Sequence, residues 1–143
     1  MIKEAEQSDL KEIVEIDKEA PLPVLKKKIE RKEVLVMKAK EEVVGYLRYS
    51  LFWDNTPFIN LLYIDERIRN SGKGKELVSR WERMMGAEGF ERVMTSSQSD
   101  ESAQHFFRKI GYRDIGSFEF PGQAKELLFM KELGEHLPNK TVP

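Results

Sequence analysis

The stretch from Phe58 to Glu88 constrains this chain more than any other. An apolar run, Phe58-Ile59-Asn60-Leu61-Leu62-Tyr63-Ile64, leads through the charged turn Asp65-Glu66-Arg67-Ile68 into Arg69-Asn70-Ser71-Gly72-Lys73-Gly74-Lys75, and a helical pattern follows. Strand, glycine-punctuated loop and helix in that order make a trap for phosphate. Gly72 and Gly74 let the backbone come close to a ligand and aim successive N–H groups at it. The helix that starts there adds unpaired amides and the positive end of its dipole. Arg69, Lys73 and Lys75 add positive charge around it. Two other phosphate loops fail on spacing. A P-loop needs a hydroxyl directly after its lysine, and Glu76 follows Lys75. A dinucleotide fingerprint needs a third glycine where Leu77 stands.

Composition narrows the partners. A chain of 143 residues suits one domain, expected over residues 1–133, with 134–143 as a flexible tail. Charged residues make up 34% of the chain, but the formal net charge is only −1, which argues against a general nucleic-acid or membrane binder. The absence of cysteine excludes disulfides, thiolate zinc sites and a cysteine nucleophile together. Two isolated histidines cannot build a metal cluster by themselves, so no metal is expected. The start, Met1-Ile2-Lys3-Glu4-Ala5-Glu6, is too charged for a signal peptide, and no apolar run approaches membrane-spanning length. A cytoplasmic protein is expected.

Taken in order, Ile2–Ala5 reads as a first strand. Ser8-Asp9 offers a helix cap, and Leu10, Ile13, Val14 and Ile16 recur at helical spacing up to Ala20. Pro21 and Pro23 break that pattern. A basic helix follows from Val24 to Lys32, with Leu25 and Ile29 inward and Lys26-Lys27-Lys28 as a solvated face. From Val34 the period becomes two. Val34–Met37 is a strand, Lys40-Glu41-Glu42 its turn and Val43–Phe52 a second strand. Gly45 inside it signals a bulge or a close backbone approach. Trp53–Pro57 turns the chain into the central strand, Phe58–Ile64. After the glycine loop, Leu77, Val78, Trp81, Met84 and Met85 form a core stripe on a helix ending at Gly86–Gly89. Arg92–Ser96 must then run parallel to the central strand, because a helix links them. Ser99–Ser102 caps a short helix carrying Ala103, Phe106, Phe107 and Ile110, which Gly111-Tyr112 stops. Asp114–Phe120 and Glu126–Lys131 close the fold as a hairpin around Pro121-Gly122-Gln123. The fold class is α/β (α+β), a mixed sheet of about six to seven strands flanked by about four helices. Its parallel pair diverges at the C-terminal ends, where such sheets bind ligands.

Two segments carry a family resemblance. Arg69-x-x-Gly72-x-Gly74 after a strand resembles the pyrophosphate loop of the GNAT superfamily of N-acetyltransferases, Arg/Gln-x-x-Gly-x-Gly/Ala. Asp100 to Tyr112 resembles a second signature of that family, Asn-x-x-Ala-x-x-Leu/Phe-Tyr-x-Lys-x-Gly-Phe. Ala103, Phe106, Lys109 and Gly111 match, and Tyr112 stands in for the final aromatic. The resemblance covers nearly the whole chain and implies the GNAT fold with its splayed parallel strands. It implies acetyl-CoA as cofactor and direct attack of an amine on the thioester, with no nucleophile on the protein. Backbone groups of Leu62, Tyr63 and Ile64 would hold the pantetheine arm and polarise the carbonyl. Arg69, Asn70, Ser71, Gly72, Lys73, Gly74 and Lys75 would hold the pyrophosphate. Ser96, Ser102, His105, Phe106, Phe107 and Lys109 would border the cofactor.

Two positions depart from the family pattern. Its tyrosine falls on Phe107, which has no proton for the leaving thiolate, and its asparagine on Asp100, which can still cap the helix. The proton then comes from Ser102, His105 or Ser96, or from solvent, which a thiol's modest pKa permits. For the base that deprotonates the amine, the sequence offers Asn60, through a water, and Glu126. Tyr49, Phe52 and Trp53 would line the acceptor pocket beside the first helix pair. The acceptor is an amine on a small molecule, peptide or protein, with no nucleic-acid or membrane partner, and a homodimer is compatible with the resemblance. Phe107 and the missing strand carboxylate motivate a second reading, an acyl-CoA-binding module with weak or lost turnover.

Overall fold

In the computed structural model, which describes residues 1–134, the chain forms β1 (Ile2–Glu4), α1 (Leu10–Ile16), α2 (Leu22–Glu30), β2 (Val34–Ala39), β3 (Glu42–Phe52) and β4 (Thr56–Ile64). It continues with α3 (Lys73–Ala87), β5 (Arg92–Gln98), α4 (Ala103–Lys109), β6 (Arg113–Phe118) and β7 (Glu126–Glu132). Apart from Gly134, the tail expected over residues 134–143 lies outside the described residues. The seven strands form one mixed sheet in the order β1-β2-β3-β4-β5-β7-β6. As the helical crossover requires, β4 and β5 are parallel, pairing Phe58 with Met94 and Ile59 with Thr95. That ladder ends at Ile59, while β4 runs on to Ile64 and β5 to Gln98. The closing hairpin enters by its second strand, so β7 lies between β5 and β6. No helix among the described residues is long and apolar enough to cross a membrane.

Contacts divide the chain into two compact units, Met1–Ser50 with Asn60–Trp81, and Leu51–Ile59 with the chain from Glu82 onward. In the first unit, Ile13, Leu25, Ile29, Val34, Val36, Val43 and Tyr46 build a core, with Leu61 and Tyr63 of β4 packed against it. Local chemistry sets the helix ends, and several differ from the sequence reading. The Asp9 carboxylate does not cap α1. It turns back to accept from the Glu6 amide at 2.8 Å and pairs with Lys38 at 2.6 Å and Lys3 at 3.1 Å. A 3-10 turn over Gln7–Asp9 precedes the helix instead. α1 stops at Ile16, short of Ala20, because Asp17 accepts from the amides of Glu19 (3.0 Å) and Ala20 (3.2 Å), a local bond that competes with helix continuation. Pro23 does not break a helix. With Pro21 at the N-cap it sits in the first turn of α2, where its missing N–H is not needed.

The β2–β3 hairpin is tighter than expected. Ala39 pairs with Glu42, leaving only Lys40 and Glu41 in the turn, both left-handed at φ +50° and +70°. Gly45 lies beside a register shift between Met37 and Lys38, so a bulge is present. It is also a close approach. A Cβ there would stand 3.0 Å from the Met37 Cβ and 3.4 Å from Ile64 and Leu77.

A polar triad is buried in this unit. Asp17 accepts from the Tyr46 hydroxyl at 2.6 Å and from Arg48 Nε at 2.7 Å. Burial alone would raise the Asp17 pKa, but the hydroxyl and the guanidinium outweigh it and hold the carboxyl below its usual range.

The second unit centres on Phe107, Tyr112 and Phe129, which are buried with their rings in contact, and Phe106 joins them edge-on. The Tyr112 hydroxyl donates to Glu82 at 2.8 Å, and Lys131 bridges Glu82 (3.0 Å) to the Ile110 carbonyl (2.9 Å). α4 ends as expected at Gly111, φ +102°. The Gly111 amide bonds the Arg108 carbonyl and the Tyr112 amide the Phe107 carbonyl, a Schellman closure. At its other end no side chain among the described residues caps the helix, so neither Asp100 nor Ser99–Ser102 acts as expected. β6 is exposed throughout and stops at Phe118.

Replacing Arg48 with methionine leaves the buried Asp17 charge without its cation and should cost about 3 kcal/mol in urea unfolding. Because the folded Asp17 pKa is depressed, its stabilisation is present above the unfolded value of about 3.9 and is lost as pH falls through the lower folded value. The acid limb of the stability curve should flatten in Arg48→Met.

Candidate active site

The glycine loop joins β4 to α3, both held against the first unit's sheet by the bare backbone of Gly45. Asp65 opens it. Its carboxylate accepts from the Arg67 amide and Nε, both at 2.9 Å, and from Nη2 at 2.7 Å, and Arg67 also reaches Glu42 at 3.1 Å. The guanidinium and amide of Arg67 hold the Asp65 carboxyl down at about 2. Arg67 is therefore committed to the loop's own structure. Arg69 folds back on the strand end, its Nε donating to the Ile64 carbonyl at 2.7 Å and its guanidinium 5.9 Å from the Tyr63 ring centre. The Ser71 hydroxyl donates to the Ile68 carbonyl. Asn70 (φ +61°) and Gly72 (φ +85°) are left-handed, and the first helical bond runs from the Glu76 amide to the Gly72 carbonyl at 3.0 Å.

These bonds leave a gap in the donor accounts. Among the described residues, the amides of Asn70, Ser71, Gly72, Lys73, Gly74 and Lys75 have no acceptor. A helix start explains the last three, since the first amides of any helix lack partners. The loop amides before them extend the same unpaired run. Gly74 sits in the first helical turn, so its value is a bare surface beside those donors and not a left-handed φ. Lys73 makes only an exposed 3.5 Å contact with Glu76, and Lys75 has no ion pair among the described residues. The arrangement can bind a multiply charged anion.

Other candidates fall in different places. Leu62, Tyr63 and Ile64 form the end of β4. Asn60 is exposed and donates to Ser50 Oγ at 2.8 Å. Tyr49 is a core residue, its ring edge-on to Trp81 at 5.6 Å and its hydroxyl donating to the Lys32 carbonyl at 3.4 Å. In the second unit, Phe52 packs between Trp53 and Phe58, while Trp53 is 80% exposed. Phe107 is buried within the aromatic cluster, with Phe106 partly buried beside it. Ser102, His105 and Lys109 are exposed on α4. Ser96 and Glu126 come together, the serine hydroxyl donating to Glu126 Oε2 at 2.6 Å. Sequence reasoning missed that bond, which depends on β7 pairing with β5, and missed the Phe118–Phe120 pair beside it.

A family model described as the acetyltransferase (GNAT) family matches residues 2–112. The chain belongs to that family, whose members transfer acetyl groups from acetyl-CoA. Solved structures with the same fold include Ard1 from Thermoplasma volcanium, 16% identical with a TM-score of 0.81, covering 94% of this chain and 98% of that one. The ribosomal-protein-S18-alanine N-acetyltransferase from Escherichia coli is 10% identical with a TM-score of 0.79, covering 99% of each chain. The N-acetylglutamate synthase from Neisseria gonorrhoeae, complexed with coenzyme A and N-acetyl-glutamate, is 15% identical with a TM-score of 0.80. That match covers 94% of this chain and 35% of the synthase. No curated protein matches the chain in sequence.

Arg67→Ala should return the Asp65 carboxyl from about 2 toward its ordinary value, followed by NMR titration of the carboxyl carbon. An unchanged titration would show that Arg67 does not organise the loop.

Proposed function

We propose that this chain transfers the acetyl group of acetyl-CoA to a primary amine of a small molecule, peptide or protein, by direct attack in a ternary complex. The observation that carries the reading is the run of unpaired amides from Asn70 to Lys75, set between the end of β4 and the start of α3 and flanked by basic side chains. Such a run suits a pyrophosphate, and family membership makes coenzyme A the natural owner of it. Arg69 lies against Ile64 and Tyr63, so the anion site adjoins the strand end whose backbone would hold the pantetheine arm. Catalysis is then placement: the pinned cofactor presents its thioester carbonyl to the amine, and backbone N–H groups polarise it.

Proton transfers fall to the remaining candidates. Glu126 is the one Brønsted base among them with a fixed orientation, and we assign it the proton of the incoming amine. Asn60 bonds Ser50 and has no proton-accepting group. Phe107 is buried and has no proton to give, so the departing thiolate is protonated by solvent or by the exposed Ser102 or His105 on α4. The buried Phe107 also favours a second reading, a binding module that keeps the coenzyme and turns over poorly.

Calorimetric titration with acetyl-CoA tests the first claim, and absence of affinity would end it. Gly74→Val should weaken binding about 100-fold, roughly 3 kcal/mol, with the circular dichroism spectrum unchanged. Thiol release across an amine library, with wild type and Phe107→Tyr side by side, separates enzyme from module. Wild-type turnover on any amine excludes the module.

A further inference from the structure

Helix α2 is fixed to the first unit on one side and bare on the other. Leu25 and Ile29 are buried in the core, and Pro21 at the N-cap sets the helix entry. The lysine run beyond them does not form one solvated face. The Lys28 ammonium donates to the Tyr49 carbonyl at 2.7 Å and to Glu33 at 2.9 Å, so it belongs to the fold. Lys26 and Lys27 are exposed, and among the described residues neither has an ion pair. The same holds for Arg31, the exposed C-cap of the helix.

The bare side also carries an apolar step. Pro21, Leu22, Pro23 and Val24 are consecutive and all exposed, Leu22 at 46% and Val24 at 41%. A single exposed aliphatic residue is ordinary, but four apolar residues in a row are a liability unless the surface has a use. Val24, Lys27 and Arg31 stand at i, i+3 and i+7, and Leu22 and Lys26 at i and i+4. Each stripe therefore runs from an aliphatic residue to a cation. Glu30, the only acid within α2, closes the second stripe. The formal charge of −1 describes the whole chain and not this patch, where cations outnumber acids.

The occupant follows from charge and shape. Cations without partners call for an anion. Lysines, as hydrated point charges, suit a diffuse negative field better than a fixed, forked ion pair. An exposed helix face is a convex ridge, which a folded partner must match with a groove but a lipid surface accepts by parting its headgroups. We propose that the exposed face of α2 is a peripheral docking surface for an anionic lipid bilayer. Lys26, Lys27 and Arg31 lie over the headgroup phosphates, while Leu22 and Val24 dip toward the acyl chains. All of these residues belong to the first unit, so the surface is complete there. The inference goes beyond the acetyltransferase reading and does not rest on it. Glu30 is the group that this contact most disfavours, so its neutralisation should strengthen binding.

The test is cosedimentation of the full chain with vesicles of phosphatidylcholine, alone or mixed with phosphatidylglycerol. Binding is expected to the mixed vesicles only, and about 0.5 M salt should release it. Lys26→Gln with Lys27→Gln should lower the partition coefficient about 30-fold, since each basic residue near such a surface contributes about fivefold. Leu22→Ser with Val24→Ser should lower it about 10-fold, and Glu30→Gln should raise it about fivefold. These variants replace only exposed groups, and unchanged circular dichroism and thermal unfolding show that each is folded. Equal binding to both vesicle types, binding to neither, or indifference to the lysine and Glu30 variants overturns the proposal. Capture of soluble polyglutamate with the mixed vesicles ignored overturns it too, and makes the partner an acidic polypeptide.

Discussion

The missing side chain of Gly45 is the constraint on which the first unit's anion loop depends. Ile64, the last residue of β4, and Leu77, in the second turn of α3, both come within contact distance of where its Cβ would be. The loop is therefore suspended between two anchors that close on one bare spot of β3. Any methyl there would first meet the Met37 Cβ at 3.0 Å, which belongs to the neighbouring strand and has little freedom to retreat. With both ends fixed, the short bonds of Asp65, Arg69 and Ser71 to neighbouring groups are enough to set the conformation between them. The amides of Asn70, Ser71 and Gly72 belong to that tethered stretch, while those of Lys73, Gly74 and Lys75 are unpaired because a helix starts there.

What the sequence could and could not tell follows from the range of each interaction. The succession of strands, the crossover and the glycine loop were readable because periodicity and glycine spacing are local signals. So was the end of α4, where Gly111 alone supplies the left-handed residue. Helix starts read less well. Ser8-Asp9 and Ser99–Ser102 have capping residue types, yet the Asp9 carboxylate is taken by Lys3 six residues before it and by the distant Lys38, and among the described residues no side chain caps α4. Lys40 and Glu41 carry no turn signal of the Asn-Gly kind, so the hairpin was drawn one residue too long.

The site divides along the same line. The loop residues Arg69 to Lys75 stand consecutively, and their spacing was enough to find them. The Ser96–Glu126 bond could not be found that way, because it needs β7 between β5 and β6, and a hairpin's sequence does not say which of its strands enters the sheet. Tyr49 is the opposite case. An aromatic near a presumed pocket turned out to be core, because strand alternation points it at Trp81.

Trp81 has a consequence of its own. It is fully buried and among the described residues its indole Nε1 has no hydrogen-bond partner, whereas Trp53, the other of the chain's two tryptophans, stands 80% in solvent. Indole emission shifts with the polarity around the ring, so the two fluorophores report separately. A quencher dissolved in the buffer silences Trp53 and leaves the blue-shifted light of Trp81, an intrinsic optical gauge of the core behind the anion loop that requires no label.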